Sequence, residues 1–125
     1  MLRLLLDTNF LMLPGQFGID IFGELERLVA EPYALATSSR IMRELGRIAL
    51  GKSKDARAAR LAMRLVKEKG VRVVPSAMPA DEWLLAEAEK GGAIVCTNDK
   101  KLIERLKKRK IRRIQMRGKD HLDFA

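Results

Sequence analysis

Residues 2–6, LRLLL, form a nearly continuous apolar run that stops abruptly at Asp7, Thr8 and Asn9. Five residues of this character are too few for a helix and predict a buried strand entering a polar turn. Similar runs recur at 33–37 (YALAT), 71–74 (VRVV) and 93–96 (AIVC). AIVC carries no polar break, as expected of a strand covered on both faces, and it leads into Thr97, Asn98 and Asp99. Between the runs the apolar spacing becomes three and four. Ile21, Phe22, Leu25, Leu28 and Val29 predict a helix capped by Asp20. Ile41, Met42, Leu45, Ile48 and Ala49 predict another, capped by Ser38 or Ser39 and ended by Gly51. Ala58, Leu61, Ala62, Leu65 and Val66 predict a third, capped by Asp55 and ended at Gly70. Pro79, Asp81 and Glu82 suit the first turn of a fourth, whose buried side holds Trp83, Leu84, Leu85, Ala86 and Ala88 before Gly91-Gly92 stops it. A basic helix over 99–109 and an edge-like fifth strand over 111–115 complete the pattern. Pro14, Gly15 and Gly18 predict that the apolar segment 10–17, FLMLPGQF, is a loop, and residues 119–125 read as a polar tail.

Strands alternating with helices predict an α/β domain with a mostly parallel sheet, because parallel strands need helical crossovers. The length of 125 residues allows one such domain, expected over 1–118. In open parallel sheets ligands collect beyond the carboxyl ends of strands. The first and fourth predicted strands both run into an acid there, Asp7 and Asp99.

Composition narrows the chemistry. A single cysteine, Cys96, excludes a disulfide framework and a Cys-rich zinc site, and a single histidine, His121, excludes a His-based one. No apolar run approaches the ~20 residues that a bilayer span requires, so a cytoplasmic protein without a membrane partner is expected. The formal net charge of +9 points to a polyanionic partner. Its distribution is uneven: residues 40–72 hold 11 Lys and Arg against 3 acids, residues 100–119 hold 11 against 1, and the stretches 1–39 and 73–99 are net acidic.

Two further acids join the comparison, Glu44 in the helix after the second strand and Asp81 at the start of the helix before the fourth. Each has an ordinary structural use, as a solvated helix residue, a turn cap or a dipole partner. Taken together without His or Cys, they suit a hard cation such as Mg²⁺ or Mn²⁺ and a phosphate substrate.

The strings LLLDTNFL, SSRIMREL and AIVCTND, with Asp81 on the helix between the last two, resemble the PIN domain, a metal-dependent ribonuclease fold. The resemblance covers nearly the whole chain and implies a three-layer sandwich around a central parallel sheet of about five strands, order 3-2-1-4-5. It places the family's catalytic acids on Asp7, Glu44, Asp81 and Asp99, with Asp7, Asp81 and Asp99 as direct ligands of Mg²⁺ or Mn²⁺. Asn9 and Thr97 match the supporting polar positions. Within the family the start is most similar to stand-alone archaeal proteins related to small-subunit rRNA-processing nucleases and less like the toxin branch. The expected activity is endoribonucleolytic hydrolysis of single-stranded RNA. Arg40, Arg43 and Arg47, with Lys100 and Lys101, are candidates for holding the RNA. A homo-oligomer, most simply a dimer, is implied, with FLMLPGQF as one candidate interface. Alternatives are a non-catalytic RNA-binding or ribosome-assembly module, and a toxin ribonuclease with an antitoxin as protein partner. A haloacid dehalogenase-type phosphatase is disfavoured, since its second Asp would stand where this chain has Asn9.

Overall fold

The computed structural model describes residues 1–125 and contains one six-stranded sheet, order β3-β2-β1-β4-β5-β6. The strands are β1 (Leu2–Leu6), β2 (Tyr33–Ser38), β3 (Arg72–Val74), β4 (Ala93–Cys96), β5 (Arg112–Arg117) and β6 (His121–Phe124). The first five run parallel in the expected order 3-2-1-4-5, and β6 returns antiparallel against β5. β1 and β4 lie at the centre in register, Leu4 opposite Ile94 and Leu6 opposite Cys96, and all four side chains are fully buried. This explains why those two runs are the most apolar of the chain: a central strand meets helices on both faces.

The crossovers build the outer layers. β1 reaches β2 through α1 (Thr8–Leu11), α2 (Leu13–Phe17) and α3 (Ile21–Leu28), and β2 reaches β3 through α4 (Ser39–Ala49) and α5 (Lys54–Glu68). Both connections step the same way along the sheet. α6 (Ala80–Glu89) and α7 (Lys100–Lys108) step back the other way, so right-handed crossovers place them on the opposite face. Where the direction reverses, the carboxyl ends of β1 and β4 open side by side.

Local chemistry accounts for the helix starts. Asp20, Ser38 and Asp99 cap α3, α4 and α7, each accepting a backbone N–H of the first turn. The cap of α5 is Ser53 and not Asp55; Asp55 lies one residue inside the helix and accepts a hydrogen bond from Gln16.

Two expectations are corrected. Segment 10–17 is not a loop. Pro14 stands in the first turn of α2, where its missing N–H is harmless, and Gly15 lets α2 close on α5: a Cβ there would sit 2.4 Å from the Ala58 Cα. Phe10, Leu11, Met12 and Leu13 are buried in the core, which removes this segment as a free apolar interface and leaves only Phe17 partly exposed. Nor is 119–125 a tail. Gly118 and Lys119, both at positive φ, turn the chain back so that 121–124 forms β6, and β5 is therefore not an edge strand. Leu122, an isolated apolar residue among polar ones, is fully buried.

No helix is long and apolar enough to cross a membrane.

Candidate active site

Beyond the carboxyl ends of β1 and β4 lies a cleft of about 540 Å³ lined by Asp7, Thr8, Asn9, Glu44, Asp81, Glu82 and Asp99, with Met12, Ile48, Pro79 and Ala80 as its apolar rim. All four sequence-selected acids are here. They arrive from β1, α4, α6 and the turn between β4 and α7, so only the chain reversal at the sheet centre brings them together.

Asp7 is the most constrained. It is 4% exposed and caps α1, with Oδ1 accepting the Thr8 N–H at 2.8 Å. Its Oδ2 accepts from the Thr97 hydroxyl at 2.7 Å and from the Asn9 amide at 3.3 Å. Burial pushes its pKa up to about 6; the bonds from Thr97 and Thr8 oppose the rise, and the charges of Asp81 and Glu44 add to it. Asp81, in the first turn of α6, is also raised, by burial first and then by the charge of Asp99.

Thr97 and Asn9 form the brace beneath these acids. The Thr97 hydroxyl donates to Asp7 and accepts the Asp99 N–H at 3.1 Å, so one buried oxygen spaces the ends of β1 and β4. Asn9 Oδ1 accepts the Asn98 N–H at 2.9 Å, and Asn98 Oδ1 accepts the Met116 N–H at 2.8 Å, which extends the brace to β5. Asp99 Oδ1 is occupied by the N–H groups of Lys101 and Leu102.

Thr8 was not among the sequence-selected residues, yet its hydroxyl donates to Glu44 Oε2 at 2.7 Å and ties α4 to the end of β1. Its only signal was its place inside the polar turn Asp7-Thr8-Asn9. The five selected cations do not line the cleft. Arg40 donates to the Ala77 carbonyl at 2.8 Å, while Arg43, Arg47, Lys100 and Lys101 are exposed on α4 and α7 around it.

None of Asp7, Glu44, Asp81 and Asp99 has a Lys or Arg nitrogen within 4.0 Å, whereas the neighbouring Glu82 is paired with Arg105. Carboxylates gathered without a counter-ion fit a hard, oxygen-seeking cation. The donor set is suited to that role: Glu44 Oε1, Asp99 Oδ2 and both Asp81 oxygens make no hydrogen bond within the protein. The acids stand around the cleft, and no three of them close on a single point in this arrangement.

Comparison with known proteins agrees with this architecture. The family described as "PIN like domain" matches residues 4–119, and the chain belongs to it. Among curated relatives it is 33% identical to "Ribonuclease VapC9" of Archaeoglobus fulgidus over 106 residues, covering 84% of this chain and 76% of that protein. It is 34% identical to "Ribonuclease VapC4" of Methanocaldococcus jannaschii over 129 residues, covering 99% and 97%. Among solved structures the PIN domain endonuclease Utp24 superposes with a TM-score of 0.80 at 24% identity, over 98% of this chain and 90% of that one. VapBC-1 from nontypeable Haemophilus influenzae gives 0.50 at 17% identity, over 86% and 94%. These two likenesses are of fold.

Proposed function

We propose that this protein is a divalent-metal-dependent endoribonuclease that hydrolyses phosphodiester bonds of single-stranded RNA in the acid cleft. The observation that carries the reading is the convergence of Asp7, Glu44, Asp81 and Asp99 from four separate elements on one cleft, with no cationic side chain to neutralise them. Membership of the PIN-like family and the ribonuclease names of two relatives at 33% and 34% identity support it.

Asp7, Asp81 and Asp99 would hold Mg²⁺ or Mn²⁺, which when bound supplies Lewis acidity toward the phosphate oxygens and lowers the pKa of an attacking water. Glu44, held by Thr8 and carrying a free Oε1, is placed to accept a proton from a water in the cleft. Thr97 and Asn9 keep the Asp7 carboxylate in one orientation, so its position does not depend on the substrate. Met12, Ile48 and Pro79 form the apolar side of the cleft.

Incubation of the protein with single-stranded RNA and Mn²⁺ or Mg²⁺, beside Asp7→Asn and Asp99→Asn, tests the reading. Cleavage by wild type and its loss in both variants is expected. Equal cleavage by all three would remove the site assignment, and RNA binding without cleavage under either metal would favour a non-catalytic assembly module.

The VapC ribonucleases among the relatives favour a second reading of the same chemistry, in which an antitoxin protein masks the cleft. Co-purification with the product of an adjacent small gene would distinguish it from an rRNA-processing role. A cytoplasmic homodimer remains our proposal for its state, to be read by sedimentation equilibrium.

A further inference from the structure

The two basic blocks of the sequence are nearly equal in charge but not in how that charge is used. From Lys100 to Lys119 five of the eleven cations are taken by acids: Arg105 pairs with Glu82, Lys107 with Glu104, Arg109 with Glu89, Arg112 with Glu31 and Arg117 with Asp123. From Arg40 to Arg72 only Arg64 has a carboxylate within 4.0 Å, that of Glu68.

The cations of this block are also arranged. On α5 the residues Arg57, Arg60, Arg64 and Lys67 are all exposed and recur at three and four, so they share one face spanning about 15 Å along the axis. On α4, Arg43 and Arg47 are exposed one turn apart and flank Gly46, where a Cβ would lie 4.0 Å from the Met63 methyl of α5. Arg60 crosses to the end of α4 and donates to the Ala49 and Gly51 carbonyls at 2.6 and 3.0 Å. The two cationic faces therefore adjoin across the α4–α5 contact. α4 also carries Glu44 and Ile48 into the acid cleft, so the charged surface leads to the site without a break in the helix.

We infer that the outer face of the α4–α5 hairpin, and not α7, is the track that holds RNA flanking the scissile phosphate, with Arg43, Arg47, Arg57 and Lys67 contacting phosphates. The assignment rests on the ribonuclease reading for its link to the cleft. RNA is the occupant because the surface offers charge with little apolar area; Leu50 is its one large exposed apolar side chain, whereas a protein interface needs an apolar centre. Unpaired cations release counter-ions on meeting phosphates, while a cation already held by a carboxylate contributes little.

The test is anisotropy of a labelled single-stranded RNA 20-mer in EDTA, titrated across KCl concentration. Wild type is compared with R57Q/K67Q and with the equal-charge control K107Q/R109Q, with circular dichroism confirming that both variants are folded. The α5 variant should flatten the slope of log affinity against log salt by about 1.4 and weaken binding at least tenfold at ~0.1 M salt, while the control changes the slope by less than about 0.5. An unchanged slope in the α5 variant, or an equal loss in the control, would overturn the inference. So would displacement of the RNA by poly-glutamate as effectively as by unlabelled RNA, which would assign the surface to an acidic polypeptide. Cleavage is scored separately with Mn²⁺. The slope difference without any cleavage would defeat the ribonuclease reading and leave the track standing; cleavage with no slope difference would do the reverse.

Discussion

Asp7 and Glu24 show two opposite uses of a carboxylate in one small domain. Asp7 is buried at the head of the cleft, meets hydroxyl, amide and backbone donors but no cation, and has its pKa pushed up to about 6. Glu24, on α3, accepts both the Nε and Nη2 of Arg27 at 3.0 Å and the Leu122 N–H at 3.0 Å, and these bonds draw its pKa down to about 2. Arg27 in turn donates to the Leu122 carbonyl at 2.9 Å. The pair thus occupies the outward N–H and C=O of an edge strand, which would otherwise offer themselves to another chain. One carboxylate strengthens the fold by being neutralised. The other is kept against its solvation preference, a pattern that marks a working site.

The comparison can be broken most severely at Asp7. Asp7→Asn should lower RNA cleavage by at least ~10²-fold, since it removes a carboxylate from the proposed metal-binding set. The same variant should be more stable than wild type in EDTA at pH 8, by about 1–3 kcal/mol. The sign follows from the raised pKa: the native state binds this proton more tightly, so Asp7's contribution to wild-type stability is full below about pH 4 and is lost as pH rises through about 6. The difference between the two proteins, measured by urea titration, should therefore close toward pH 4. A constant difference across that range would refute the burial account.

Mn²⁺ supplies the second largest effect. At a hundred times its dissociation constant it should stabilise wild type by about 2.7 kcal/mol, and Asp99→Asn by much less, in thermal melts with and without EDTA. Glu24→Gln should respond as wild type does.

Thr97→Val should cost about 2 kcal/mol, because it strips a buried partner from Asp7 and from the Asp99 N–H together. It should also move the acid titration of Asp7 upward, followed by the carboxyl infrared band, while Thr97→Ser restores both. The smallest effect is at the β6 edge. Glu24→Gln should lose about 1 kcal/mol at pH 7 with cleavage intact, the figure being discounted for solvent screening. A lowered pKa gives the opposite sign from Asp7: this stability is present above about pH 4.5 and fades as pH falls toward 2.

Much of this molecule is written in local patterns. The buried strands β1 and β4 are visible as nearly continuous apolar runs, broken only by Arg3, because a central strand is covered on both faces, and Asp20, Ser38 and Asp99 are visible as caps because a helix start needs an acceptor within three residues. The acids at the ends of β1 and β4 stand out for the same local reason, and the family resemblance adds Glu44 and Asp81. Segment 10–17 and strand β6 escape this kind of reading. α2 exists because Gly15 meets Ala58, some forty residues away, and β6 exists because Leu122 finds the core and Glu24 with Arg27 takes its free backbone groups.

Sequence alone marked the alternation of strands and helices and the acids at the ends of β1 and β4, since each follows from short-range periodicity or from the residue at a strand end, while the strand order, Glu44 and Asp81 came from the family resemblance. Only tertiary structure decided which charges are free. Thr8 on Glu44, Thr97 on Asp7, and the pairing of Arg105 with Glu82 and of Arg109 with Glu89 all depend on contacts between residues 20 to 90 positions apart. Charge can be counted along a chain, but its neutralisation is settled by distance in space.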